Sequence, residues 1–219
     1  MIHELAYKIP TILSTLQTIF YNAWSVSAIT EFDKDEEDGF IGNIYFLYAC
    51  MSTIGCSVVL LLNKVLAKMM YANDFYEAWI CVSFLLLGVI FNGIALFEGY
   101  LFTAVKKTKM VSKTTLIGAT ANTIANFVLI PFIGAVGAAF ATMLGYFTVW
   151  LVRTICIRDI IKMKVNWTKQ IVCIVVVSIQ VFLALITLSL QFLCLILLVS
   201  LQYKSINKVL KKVLVKVKR

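Results

Sequence analysis

Two asparagines four residues apart, Asn122 and Asn126, interrupt the uncharged run NTIANFVLIPFIGAVGAAFAT at positions 122 to 142. A single carboxylate, Glu98, stands inside a second apolar run, FNGIALFEGYLF at 91 to 102. The chemistry open to these groups is narrow. Amides do not titrate; they donate and accept hydrogen bonds. A carboxylate inside an apolar span is by default a candidate for holding an ion or a proton. Metal chemistry is poorly supplied elsewhere. The only histidine is His3, and the six cysteines (Cys50, Cys56, Cys81, Cys156, Cys173, Cys194) show no C-x-x-C spacing, so they read as small buried hydrophobes rather than zinc or iron–sulfur ligands. No cofactor is implied.

The elements that must position these residues follow from composition. Of the 219 residues, 61% are hydrophobic and only 14% charged, with a mean hydropathy of +0.93, which is far from the make-up of a water-soluble domain. A spanning helix takes about 20 largely apolar residues, and a spanning strand about 10 with alternation. The runs here are long and continuous, which predicts an all-α membrane protein with seven spans near 8–30, 41–66, 78–102, 112–131, 134–155, 170–186 and 189–204. On the fourth span Gly118, Asn122 and Asn126 share one helical stripe. An amide turned to lipid loses its hydrogen bonds to water, so the stripe faces other helices or a wet cavity. Both uses are open.

Pro131 is expected to end that helix, because proline has no amide donor and disfavours helical geometry in the residue before it. Gly134 then completes a tight turn. Gly137, Ala141 and Gly145 recur every four residues on the next helix and form a small-residue face that lets two backbones approach.

The net charge of +9 is explained by position. Sixteen of the twenty Lys and Arg fall in three clusters: Lys106, Lys107, Lys109 and Lys113; Arg153, Arg158, Lys162, Lys164 and Lys169; and the tail from Lys204 to Arg219. Two spans separate each cluster from the next, so all three share a face, and the positive-inside rule makes it cytoplasmic. Nucleic acid is not implied. The connections near 68–76, 131–134 and 187–189 are external by the same count. The acidic loop EFDKDEEDG, residues 31 to 39, falls inside and lacks the ligand spacing of an EF-hand, so it reads as a solvated linker. Met1 then lies outside with no cleavable signal before it. From Tyr203 onward, Ile206, Val209, Leu210, Val213, Leu214 and Val217 follow helical spacing between lysines, predicting a basic amphipathic tail over 205–219 on the inner leaflet. The alternative is a frayed end of the last span.

The pattern N-x-x-x-N-x-x-x-x-P-x-x-G-x-x-G-A-A-x-A-T from Asn122 to Thr142 resembles the signature of polysaccharide flippases. Two upstream stretches agree with it: KIPTILSTLQTIFYNAWSVSAITEFDKDE at 8–36, and FYEAW at 75–79 followed by YLFTAVKKTKMV at 100–111. Over residues 8 to about 160 the chain is similar to bacterial O-antigen and capsule repeat-unit exporters, in the superfamily of multidrug and toxin extrusion transporters and the lipid II flippase. The resemblance implies two six-helix lobes around a central cavity, with two further helices at the carboxyl end. By that similarity the chain begins at the second helix of the second lobe, and the amino-terminal lobe is missing, in keeping with the external Met1.

The resemblance further implies a transporter, not an enzyme, that turns undecaprenyl-diphosphate-linked oligosaccharide across the bacterial inner membrane by alternating access. Implied partners are the lipid-linked oligosaccharide, membrane lipids, the amino-terminal lobe, and the polysaccharide polymerase and chain-length machinery. Cavity candidates are Asn22 and Trp24 on the first span, Asn92 and Glu98 on the third, Asn122 and Asn126 on the fourth, and Lys106 and Lys107 at the cytoplasmic end. Trp24 also suits an interfacial anchor, and the two lysines suit plain topological anchoring. Glu98 lies close enough to the cytoplasmic end to pair with Lys106 or reach the interface, or else it serves a coupling ion. One rival is a cation-coupled drug antiporter of the same superfold, which calls for more cavity carboxylates than this chain has. The other is a membrane enzyme acting on lipid-linked sugars, which needs acid, base or metal groups at the surface that the short external connections cannot hold.

Overall fold

The computed structural model describes residues 6–30, 39–70, 78–161, 163–184 and 186–217, with the side chains of 24–30, 204 and 208–217 outside that description. The acidic linker 31–38, His3, the start of FYEAW, the connection 71–77 and Lys162 lie outside the described residues.

All regular structure among the described residues is helical. The helices are α1 (Lys8–Thr30), α2 (Phe40–Met70), α3 (Ala78–Ala104), α4 (Thr108–Arg158), α5 (Trp167–Leu183) and α6 (Leu188–Val217). Four of them, α2, α3, α4 and the stretch Leu188–Asn207 of α6, are long and apolar enough to cross a membrane, and α5 is a shorter apolar helix. α3 is the centre of the bundle: Val82, Leu86, Ile90, Ile94 and Phe102 are each fully enclosed. α1, α2, α4 and α5 all pack against it.

α4 is a hairpin rather than one rod. Ile133 and Gly134 leave helical geometry, and Gly134 has φ 54°, ψ −129°, so the chain reverses there. The arms then pack antiparallel so tightly that a Cβ built on Gly145 would lie 2.7 Å from the Asn122 Cβ and 3.2 Å from the Gly118 carbonyl oxygen. A Cβ on Gly137 would lie 2.7 Å from the Leu129 carbonyl oxygen, while Ala141 is fully buried. Pro131, expected to end the first arm, lies inside the helix. Its fixed φ is compatible with helix, and its cost is one missing hydrogen bond. The reversal needs a positive φ, which glycine supplies without a Cβ clash, and so it waits for Gly134.

The other ends have equally local causes. α3 stops because Lys106 takes φ 59°, with its N–H donating to the Thr103 carbonyl at 2.9 Å and the Lys107 N–H to the Phe102 carbonyl at 2.8 Å. This is the paired-bond stop usually built on glycine. α5 starts where the Asn166 side chain accepts from the Lys169 N–H at 3.1 Å, an N-cap. The Lys164 backbone packs against Gly42 near the start of α2, and the Lys169 ammonium meets Ser205 of α6. Much of the basic sequence therefore gathers at one end of the bundle. α6 continues without a break past Ser205 to Val217, so the backbone of the expected surface tail is a direct extension of the last apolar helix.

Candidate functional site

Inside the bundle, helices are joined by side-chain hydrogen bonds at several depths. The Gln17 Nε2 donates to Ser52 at 3.1 Å, linking α1 to α2. Ser57 donates to the Gln180 Oε1 at 2.7 Å, linking α2 to α5, and the Gln202 Nε2 donates to Thr53 at 2.9 Å, linking α6 to α2. All three glutamines are buried. In an apolar surrounding each such pair spares two polar groups the cost of lying unpaired. The sequence reading passed over these glutamines; their signal was single amides within apolar runs.

The densest polar layer lies near the basic end. Glu98 of α3 is fully enclosed, and its Oε1 accepts from the Tyr45 hydroxyl at 2.9 Å and the Thr154 hydroxyl at 2.7 Å. The Gln170 Nε2 donates to the same tyrosine oxygen at 3.0 Å. Arg153 follows directly in the sequence before Thr154 and is 3% exposed. Its Nε donates to Thr114 at 2.9 Å, one terminal nitrogen to the Ala95 carbonyl at 2.6 Å, and the other to Thr115 at 2.9 Å and the Val111 carbonyl at 3.3 Å. The guanidinium thus brackets both arms of α4 to α3. This placement corrects two expectations. Glu98 bonds to Tyr45 and Thr154 instead of Lys106, because its side chain points into the bundle. Arg153, counted among the surface cations, is interior, because glycine at position 99 opens the space its fork fills: a Cβ there would lie 2.8 Å from a terminal nitrogen.

Two cavities open in the bundle, one among α1, α2 and α3 and the other along the two arms of α4. One, of about 160 Å³, is lined by Ser14, Gln17, Thr18 and Tyr21 of α1, Tyr48 of α2, and Asn92, Leu96 and Tyr100 of α3. The other, of about 310 Å³, follows the glycine seam of α4, with Thr115, Gly118, Asn122, Gly145 and Tyr146 on its walls and Tyr7 closing one side. The hydroxyl of Tyr21 is enclosed and has no hydrogen-bond partner among the described residues.

Of the residues expected from sequence, Asn92 and Asn122 line these two cavities. Asn126 stands one turn further along, and its Nδ2 donates to the Asn122 Oδ1 at 3.1 Å, so the amide stripe is bonded within itself and half-buried. Asn22 is exposed on α1, outside both cavities, and Trp24 lies in α1 with its side chain outside the described residues. Lys106 and Lys107 are exposed on the α3–α4 turn, also outside both cavities. Missed by the sequence reading are the tyrosines Tyr7, Tyr21, Tyr48, Tyr100 and Tyr146, which four different helices and the chain just before α1 bring to the cavity walls. No protein-family model, curated protein or solved structure matches the chain.

Proposed function

We propose that this chain is the carboxyl-terminal part of a two-lobe transporter that moves undecaprenyl-diphosphate-linked oligosaccharide across the bacterial inner membrane. In this reading the chain crosses the bilayer seven times, with the two arms of α4 counted separately and α1 and α5 included. The basic end and the carboxyl terminus are cytoplasmic, the amino-terminal lobe is the partner that completes the path, and no covalent step is involved. One observation carries the reading: in an apolar helical bundle, two cavities, one among α1, α2 and α3 and one along the α4 hairpin, are walled by amides, hydroxyls and tyrosines. Polar walls in an apolar surrounding are costly unless they meet a polar occupant or a partner.

The amides supply the functional test. In cells whose surface glycan depends on this transporter, Asn122→Leu should lower surface polysaccharide about tenfold, in line with the loss of one or two hydrogen bonds to substrate. Membrane abundance should stay within about twofold, since Asn122 is only half-buried. If abundance and export fall together, the amides hold helices together and the groove does not carry the cargo.

Orientation has its own check. Single cysteines placed at 107 and 164 in a background without the native cysteines should resist a membrane-impermeant maleimide in intact cells and react after permeabilisation. Labelling of position 107 in intact cells would reverse the assignment of the basic end to the cytoplasm.

A further inference from the structure

We propose that the two cavities select uncharged sugar rings and reject acidic ones; the proposal rests on the glycan-transport reading and adds the class of sugar to it. Five of the chain's nine tyrosines line the two cavities: Tyr21, Tyr48 and Tyr100 in one, Tyr7 and Tyr146 in the other. Tyr21 and Tyr100 meet edge to face at 4.5 Å between ring centres, and Tyr100 is 41% exposed. Aromatic faces of this kind pack against the C–H faces of a sugar, and their hydroxyls reach its oxygens. The amide of Asn92 in one cavity and that of Asn122 in the other can each both donate to and accept from sugar hydroxyls.

Charge decides the class. None of the residues lining either cavity is charged. Arg153 touches Thr115 on the wall of one cavity, yet it is 3% exposed and directs its hydrogen bonds to Thr114, Thr115 and the carbonyls of Ala95 and Val111. A hexuronate or sialic acid carboxylate entering this space loses hydration and gains no counter-charge. A neutral hexose loses only hydroxyl hydration, which amides and phenols restore.

The test uses the 219-residue chain in phosphatidylcholine nanodiscs, free of sugar-based detergent, with its helical content checked by circular dichroism. The probes are an octyl trihexoside, the same molecule with its terminal hexose oxidised to hexuronic acid, and an octyl oligo(ethylene glycol) as a control for the tail, each followed by calorimetry. The neutral trihexoside should bind at least about tenfold more tightly than the uronate, the size of discrimination a site gains when a rejected group is left without a partner. Asn92→Lys, which supplies a cation on the wall, should narrow or invert the ratio. Tyr100→Leu, at a side chain exposed enough to spare the fold, should weaken the neutral probe several-fold and leave the control unchanged. Uronate binding as tight as the trihexoside overturns the selection while leaving a glycan groove in place. Failure of both sugars to bind better than the ethylene glycol control removes the glycan reading and the selection together.

Discussion

Arg153→Ala should leave almost no folded protein after mild heating in detergent, whereas the parent chain should survive it. The guanidinium is buried and makes four hydrogen bonds that join both arms of α4 to α3. A hydrogen bond from a charged donor contributes about 1.5–3 kcal/mol, so losing two of the four costs about 3–6 kcal/mol. That is roughly a hundred- to ten-thousandfold change in an equilibrium at about 1.4 kcal/mol per factor of ten. The measurement is the midpoint for loss of the monodisperse peak in fluorescence-detected size exclusion. Arg153→Lys should fall between the two, since an ammonium keeps the charge but cannot reproduce the planar fork. A single Arg153→Ala variant as heat-stable as the parent would show that the bracket contributes nothing.

Gly145→Ala should open the α4 hairpin, and Gly118→Ala should do so less persistently. At Gly145 the new methyl meets the Asn122 Cβ at 2.7 Å and the Gly118 carbonyl oxygen at 3.2 Å, atoms fixed by the facing backbone. At Gly118 the first obstacle is a Val149 methyl, with the Gly145 carbonyl oxygen at 2.9 Å behind it. Overpacking of this kind costs about 1–3 kcal/mol when neighbours must shift. Val149→Ala should therefore rescue part of the Gly118→Ala loss and none of the Gly145→Ala loss. Because the Asn122 Cβ lies against position 145, Gly145→Ala should also displace that amide from the cavity wall and, under the transport function proposed above, lower export beyond what stability accounts for. Equal rescue of both variants by Val149→Ala would mean that the seam yields through side chains, contrary to the backbone contact described.

Helix positions were legible because their cause is local: the length of each apolar run and the residues at its ends. The reversal between the arms of α4 was foreseen from Pro131 and Gly134 together, but its position belongs to Gly134 alone. A proline is tolerated in a helix at the cost of a hydrogen bond, whereas a left-handed residue cannot be helical at all. Asn166 as an N-cap and Lys106 as a helix stop are likewise local, yet Lys106 has no signal in sequence, since lysine seldom occupies that conformation.

The candidate site was legible only in part. Asn92 and Asn122 were found because an amide in an apolar run must be accounted for. The tyrosines were not found, because a tyrosine in an apolar helix serves equally as core, interface anchor or cavity wall, and helix rotation decides among them.

The sequence by itself determined an apolar, helical chain with basic residues gathered in three clusters, since these follow from hydropathy and charge counted along one dimension. Only the tertiary structure decided which charges are interior. Glu98 and Arg153 lie 55 positions apart, and along the sequence the first suits a Lys106 partner, the interface, a coupling ion or a cavity wall, while the second counts among the surface cations. Helix packing places both in one polar layer with Tyr45, Thr154 and Thr114, where the surroundings exclude water and each polar group must find its partner on another helix.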